Sequence, residues 1–176
     1  MAERRAQGET ITWQAGHCYL GEILVAHSSN GVCAVLPGES RDELVAELAR
    51  RFPEATLAHA NDSRADWFTA VMSYLIDSRR PLSIKLDLRG TEFQCAVWRT
   101  LQDIPSGSSA SYGEIARRMG VPTASRAVAG ACAANPLAVV VPCHRVLRGD
   151  GSLSGYRWGV KRKQAVLSHE QGLSER

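Results

Sequence analysis

Residues 111–135 read SYGEIARRMGVPTASRAVAGACAAN, and this stretch decides how the chain is organised. Ser111 followed three residues later by Glu114 has the Ser-x-x-Glu spacing of a capping box, in which side chains satisfy the backbone N–H groups that a helix leaves open at its start. The spacing predicts a short helix from there to Met119. Gly120-Val121-Pro122 then makes a tight turn, and Thr123 is expected to cap a second helix running to about Ala134. Two helices joined by a short Gly-containing turn form a helix-turn-helix candidate. The second helix has scarcely a large side chain. Small residues let a helix backbone approach another surface closely. That surface can be a nucleic-acid groove, with Arg126 the one long probe, or a neighbouring helix, which Ala and Gly equally permit.

Working outward, Thr91 to Leu101 carries Phe93, Val97, Trp98 and Leu101 on one helical face. Before Gly90 the character changes. Ile11-Thr12-Trp13, Leu20 to Val25 and Val32 to Leu36 have strand character, with Ser28-Ser29-Asn30-Gly31 as a turn. Helical faces recur over Asp42 to Phe52 and Arg64 to Ser78, and Ile84, Leu86 and Leu88 alternate as a further strand. An α+β fold follows. Residues 1–88 are expected to form a supporting domain around a three-stranded antiparallel sheet, and residues 89–176 an all-helical domain. Nothing in residues 1–88 resembles a catalytic site.

At 176 residues, 44% hydrophobic and 22% charged, the chain has the composition of a globular protein of one domain or two small ones. No apolar segment follows Arg4 and Arg5, which argues against a secretory signal. The longest apolar run, Leu137 to Pro142, is far too short for a membrane span and reads as a buried strand or core segment. Five irregularly spaced cysteines argue against a disulfide framework and for a reducing cytoplasm. Cys18, Cys33, His17 and His27 lack zinc-ligand spacing, so no metal is expected, and Cys95 and Cys132 read as packing residues. Charge is divided unevenly. Residues 1–88 carry 9 Lys and Arg against 12 Asp and Glu, and residues 89–176 carry 12 against 6. A basic second half points to a polyanion or, equally, to a solvated basic surface.

The chemistry centres on Val141-Pro142-Cys143-His144-Arg145-Val146. A thiol attacks as its thiolate, and an adjacent imidazole can take the proton. Pro142 restricts its own φ and constrains Val141, so Cys143 sits on a stiff backbone. A Cys-His pair alone is also compatible with an inert buried cysteine. The wider pattern is more specific. Pro142 to Val146, together with Ser111-Tyr112, Arg126-Ala127-Val128, Asn135-Pro136 and His169-Glu170, resembles the O6-alkylguanine-DNA alkyltransferases in order and spacing. Arg148 to Gly151 and Leu153 to Gly159 are most similar to the C-terminal half of adaptive-response members of that family.

The resemblance implies a ribonuclease H-like first domain and a winged helix-turn-helix-like second. It implies irreversible transfer of an alkyl group from O6-alkylguanine, and from O4-alkylthymine as a second substrate, in double-stranded DNA. Cys143 would accept the group, His144 would take its proton and Glu170 would orient the histidine. Tyr112 would assist nucleotide extrusion and donate to the departing base, Arg126 would fill the stack, and Asn135 would brace the turn. Ala127, Gly130, Ala131 and Ala134 would line the DNA-facing helix, while Cys143, Val146, Tyr156 and Arg157 would form the base pocket. Arg117, Arg118, Arg148, Lys161, Arg162 and Lys163 are available for phosphates. No cofactor is implied, and a monomer is expected. Two other readings are a damage sensor that binds without transfer, which the presence of Cys143 opposes, and a transcriptional regulator. By resemblance the regulator also needs a metal-binding regulatory domain that these 176 residues have neither the length nor the cysteine cluster to supply, whether the chain stands alone or is the C-terminal part of a longer protein.

Overall fold

Short apolar runs between Thr10 and Gly38 form a meander in the computed structural model, which describes residues 8–60, 65–153 and 155–175. Arg4, Arg5, Arg64 and Ser154, used above, lie outside the described residues. Strands β1 (Thr10–Cys18), β2 (Gly21–Ser28) and β3 (Gly31–Gly38) pair antiparallel. The sheet is not purely antiparallel, because β4 (Thr56–His59) adds alongside β1 in parallel and gives the order β3-β2-β1-β4. Four residues, none of them fully buried, leave too little alternation for β4 to be read from sequence.

Two helices cover the meander. Helix α1 (Arg41–Arg51) starts where the Ser40 hydroxyl accepts the Glu43 N–H, and buries Leu44 and Leu48 against β2 and β3. Asp42 and Glu43 in its first turn and Arg50 and Arg51 in its last complement the helix dipole. Helix α2 (Asp66–Ile76) buries Phe68, Val71 and Leu75 and packs on β1 and β2.

The expected strand over Ile84 to Leu88 is a correction. That segment makes one bridge to β3, with Val32 N–H donating to Lys85 O at 3.0 Å and Asp87 N–H to Val32 O at 2.8 Å. Gly31 permits the approach: its φ is +136°, and a Cβ there would lie 2.6 Å from Lys85 O. Further along the same edge, Val35 N–H donates to Pro136 O at 2.9 Å and Ala138 N–H to Val35 O at 3.0 Å. Two distant segments therefore close the outer edge of β3, and the second carries the apolar run that leads to Cys143.

Helix α3 (Glu92–Leu101) has a reciprocal capping box between Thr91 and Gln94. Its Trp98, 1% exposed, donates Nε1–H to Ala131 O at 2.9 Å. Helices α4 (Tyr112–Arg118) and α5 (Ser125–Ala133) form the anticipated pair, and Ser111 Oγ accepts the Glu114 N–H at 3.1 Å. Ala124, not Thr123, occupies the cap position of α5 and makes no side-chain bond there. The second half is also not all helical. Strand β5 (Ala110–Ser111) pairs in parallel with β6 (Val146–Leu147), and a 3-10 turn spans Cys143–Arg145. Helix α6 (Val160–Ser174) closes the chain. Its buried face contains Lys163 and Glu170 beside Val166 and Leu173, so no apolar period announces it. No helix among the described residues is long and apolar enough to cross a membrane.

One charge cluster ties the parts together. Arg89, 7% exposed at its side chain, donates to Glu9 at 2.9 Å and to Asp87 at 2.8 Å, and Asp87 also accepts the Ser28 hydroxyl at 2.7 Å. Removing the cation leaves the buried Asp87 and the largely covered Glu9 carboxylates uncompensated. Arg89→Ala is therefore expected to lower unfolding free energy by about 3–5 kcal/mol in urea titrations. A loss under 1 kcal/mol would show that the cluster is solvated rather than buried.

Candidate active site

The segment entering the site turns sharply twice. Val139 has φ +68°, and Val140 N–H closes an i to i+2 turn onto Ala138 O at 2.7 Å. A β-branched residue in the left-handed region costs on the order of 1–3 kcal/mol, held in place by its surroundings. Pro142, at φ −83° and ψ 59°, is the centre of a second, unstrained turn closed by Cys143 N–H onto Val141 O at 2.8 Å. The 3-10 turn follows at once.

Asn135, fully buried, holds these turns. Its Nδ2 donates to Val141 O at 3.0 Å and lies 3.3 Å from Leu137 O, while its Oδ1 accepts Leu137 N–H at 2.9 Å. The same Nδ2 lies 3.1 Å from Cys143 Sγ. The Cys143 side chain is 3% exposed, and burial pushes its thiol up to about 11, partly opposed by the Asn135 bond and the charges of Lys163 and Arg157. The sulfur therefore rests as a thiol.

Beside it, His144 is fully buried, and burial lowers its pKa against the pull of Glu170. His144 Nε2 lies 2.9 Å from Glu170 Oε1, and its Nδ1 has no hydrogen-bond partner among the described residues. A carboxylate accepts only, so Nε2 carries the ring proton and Nδ1 is the basic nitrogen. Glu170 is 1% exposed. Burial works against its charge, but hydrogen bonds from His144 and Arg145 overcome it and hold the carboxyl below its usual range. Arg145 grips both oxygens, through Nε at 3.0 Å and Nη2 at 2.5 Å, and donates Nη1–H to Ile104 O at 2.7 Å. Arg145 lies within the motif, yet its part in the site was not read from sequence.

A cavity of about 910 Å³ opens over the sulfur, lined by Tyr112, Arg126, Cys132, Cys143, Tyr156 and Arg157. Ser125, Ala129, Ala133, Arg148 and Gly155 complete it. Tyr112, Arg126, Tyr156 and Arg157, singled out in the sequence, thus border one cavity with Cys143, and Cys132, read as packing, faces it too. Along α5, Arg126, Ala127, Gly130 and Ala133 are exposed, and Val128, Ala131 and Cys132 are buried. Ala131, at 2% exposure, faces inward and leaves the DNA-facing set. Ala134 is half-buried, with its carbonyl accepting Arg51 Nη2–H at 3.0 Å. Val146 is fully buried in β6, with its N–H bonded to Cys143 O and its carbonyl accepting Lys163 Nζ–H at 2.8 Å. It does not line the cavity.

Among the basic residues, Arg117, Arg118, Arg148 and Lys161 are exposed. Lys163 is not available to phosphates: it is fully buried, and burial lowers its pKa. Arg162 is committed to Leu20 O at 3.0 Å and Glu39 at 2.7 Å, and Arg157 pairs with Glu47 at 2.9 Å. Among the described residues no cluster of three or more His, Cys, Asp or Glu could hold a metal ion.

Residues 92–172 match the family model for 6-O-methylguanine DNA methyltransferase, DNA binding domain. The chain is 46% identical over 166 residues to the bifunctional transcriptional activator/DNA repair enzyme Ada of Escherichia coli (strain K12), covering 94% of this chain and 47% of that protein. It is 38% identical over 133 residues to the inducible methylated-DNA–protein-cysteine methyltransferase of Bacillus subtilis (strain 168), covering 76% and 74%. The chain spans about half the length of the Ada relatives it matches. Its fold is similar to the crystal structure of Mycobacterium tuberculosis OGT in complex with DNA, with a TM-score of 0.73 at 31% identity over 92% of this chain and 93% of that one.

The depressed Glu170 carboxyl makes stability pH-dependent. Its contribution is fully present above the unfolded value of about 4.3 and is lost as pH falls through the lower folded value. Melting temperature is expected to drop steeply below about pH 4.5. Glu170→Gln should melt lower at neutral pH and lose part of that acid dependence. Parallel curves for the two proteins in calorimetry would contradict the assignment.

Proposed function

The chain belongs to the 6-O-methylguanine DNA methyltransferase family, and from that premise we propose that it repairs alkylated DNA by moving the alkyl group from O6 of guanine onto Cys143, once per chain. The observation that carries the reading is the sulfur on the cavity floor, hydrogen-bonded by Asn135 and flanked by the His144–Glu170 pair. The thiol needs a base because burial holds it protonated. In this reading its proton passes through a water to His144 Nδ1. The sulfur attacks the alkyl carbon, the S–C bond forms and the C–O6 bond breaks. The Tyr112 hydroxyl donates to the leaving guanine and is reprotonated from the imidazolium, so the thiol proton ends on the base. The Lys163 and Arg157 charges favour the transient thiolate. No cofactor enters, since the alkyl group comes from the DNA.

A guanine O6 stacked within a duplex cannot reach a sulfur that is 3% exposed. The nucleotide must be flipped out, at a cost of a few kcal/mol. Arg126, exposed at the start of α5 and bordering the cavity, is placed to occupy the gap, while Ala127, Gly130 and Ala133 let the helix lie close to the groove. Tyr156 and Arg157 would hold the flipped base, and Arg117, Arg118, Arg148 and Lys161 would meet phosphates without reading sequence. The same reading divides the chain into a ribonuclease H-like support over residues 1–88 and a winged helix-turn-helix-like domain over 89–176. It takes the active form as a cytoplasmic monomer, with O4-alkylthymine as the second substrate to assay.

Mixing the protein with a duplex containing one O6-methylguanine is expected to add one methyl per chain, located on Cys143 by peptide mass spectrometry. Tight binding with no mass gain would favour a damage sensor. Cys143→Ala should abolish transfer and keep binding, and transfer by that variant would remove the acceptor assignment. Arg126→Ala is expected to slow repair of duplex by about 10- to 100-fold, on the scale of a few kcal/mol of flipping energy, while sparing reaction with free O6-alkylguanine. Equal losses on both substrates would argue against a wedge.

A further inference from the structure

Both Glu170 oxygens receive two donors, and one of the four comes from the first half of the chain. Oε1 accepts from His144 Nε2 and Arg145 Nε, and Oε2 accepts from Arg145 Nη2 and from Ser78 Oγ at 2.7 Å. Ser78 follows α2, is 7% exposed, and lies 2.7 Å from Ser106 Oγ in the loop after α3. A hydroxyl has one proton and a carboxylate can only accept, so Ser78 donates to Glu170 and Ser106 must donate to Ser78. A directed chain results, Ser106 to Ser78 to Glu170, with the histidine donating from the other end.

This chain does not reach the substrate cavity. Ser78, Ser106, Pro142 and Arg145 border a separate cavity of about 420 Å³ that shares no lining residue with the one above Cys143. The catalytic turn is therefore flanked by a cavity on each side, and the hydroxyl chain belongs to the one without the sulfur. Charged and titratable groups facing His144 are Glu170 and Lys163 from α6 and Arg145 on its own turn. Tyr19 and Tyr156 also face Glu170, and Tyr74 of α2 faces Arg145.

We propose that Ser78 is a positioning residue for alkyl transfer: it fixes the Glu170 carboxylate from the rear, so that His144 keeps its proton on Nε2 and presents Nδ1 to the reaction. The role rests on the alkyl-transfer reading above. It gives residues 1–88, expected from sequence to be support alone, a hold on the proton acceptor through Glu170. Without the Ser78 proton, more of the carboxylate charge falls on the remaining donors. The imidazolium is then better stabilised, and His144 titrates at higher pH.

The test uses the full chain as wild type, Ser78→Ala and Ser78→Thr. Nitrogen-15 spectra of the imidazole in DNA-free protein report the His144 tautomer and titration, and single-turnover transfer to O6-methylguanine duplex is followed against pH. Ser78→Ala is expected to raise the His144 titration and to slow transfer about 3- to 10-fold on the acid side, converging on wild type as pH rises, the tenfold limit matching one pKa unit. Ser78→Thr, which keeps the hydroxyl, should restore both. A uniform loss of rate at every pH with an unmoved His144 titration would reduce Ser78 to a structural contact and overturn the proposal. A wild-type chain that transfers no alkyl group overturns the alkyl-transfer reading, and this role with it. Normal transfer and titration in Ser78→Ala overturns the role alone.

Discussion

Burying a carboxylate is among the most expensive things a chain can do, and the arrangement around Glu170 follows from having done it. Both oxygens must be met by donors, or the charge would be lost to protonation. The donors come from the turn at Cys143–Arg145 and from the end of α2, so three remote stretches have to converge before the charge is tolerable. Lys163 lies seven residues before Glu170 on the same inward face of α6, where it holds the Val146 carbonyl and so the β6 end of the turn. Two opposite charges, two helical turns apart, thus pin one helix against the segment that carries the sulfur.

The same feature explains what the sequence concealed. The meander was legible because its strands are short apolar runs bounded by turn residues, and α1 to α3 because their buried residues recur at helical spacing. Helix α6 was not, since charged residues occupy core positions that a periodicity argument reserves for apolar ones. Strand β4 is short and half-covered, and its partner β1 is remote in sequence, so its pairing leaves no local trace. The alternation of Ile84, Leu86 and Leu88 was misleading because it tracks contact with one edge of the sheet and not membership of it. Thr123 carries the better capping side chain, but the helix begins two residues later, after Ala124.

At the site, residue chemistry was readable and geometry was not. Pro142 to Val146 announced a thiol with a basic neighbour, and the family resemblance singled out Tyr112, Arg126 and Tyr156, but that the three border one cavity is seen only in the structure. Ser78 and Ser106 carry no motif, because a serine that donates to a remote carboxylate resembles any serine in a loop. Lys163 looked like part of a surface cluster with Lys161 and Arg162, and only the packing of α6 separates the three. The strained Val139 turn is likewise silent in sequence, since a β-branched residue at positive φ is imposed by the β3 edge and Asn135 and not by local preference.

Concealment of the sulfur has a further consequence. Small electrophiles dissolved in water attack thiolates in proportion to their exposure and their ionised fraction, and Cys143 keeps both low. The burial that keeps it a thiol also keeps it from spontaneous consumption by whatever reactive molecules surround the protein. Only a group carried down to the cavity floor, close to Asn135 and the imidazole, meets a competent nucleophile. On the proposed reading, a reagent that can be used once is thereby kept in reserve, with access and not intrinsic reactivity as its safeguard.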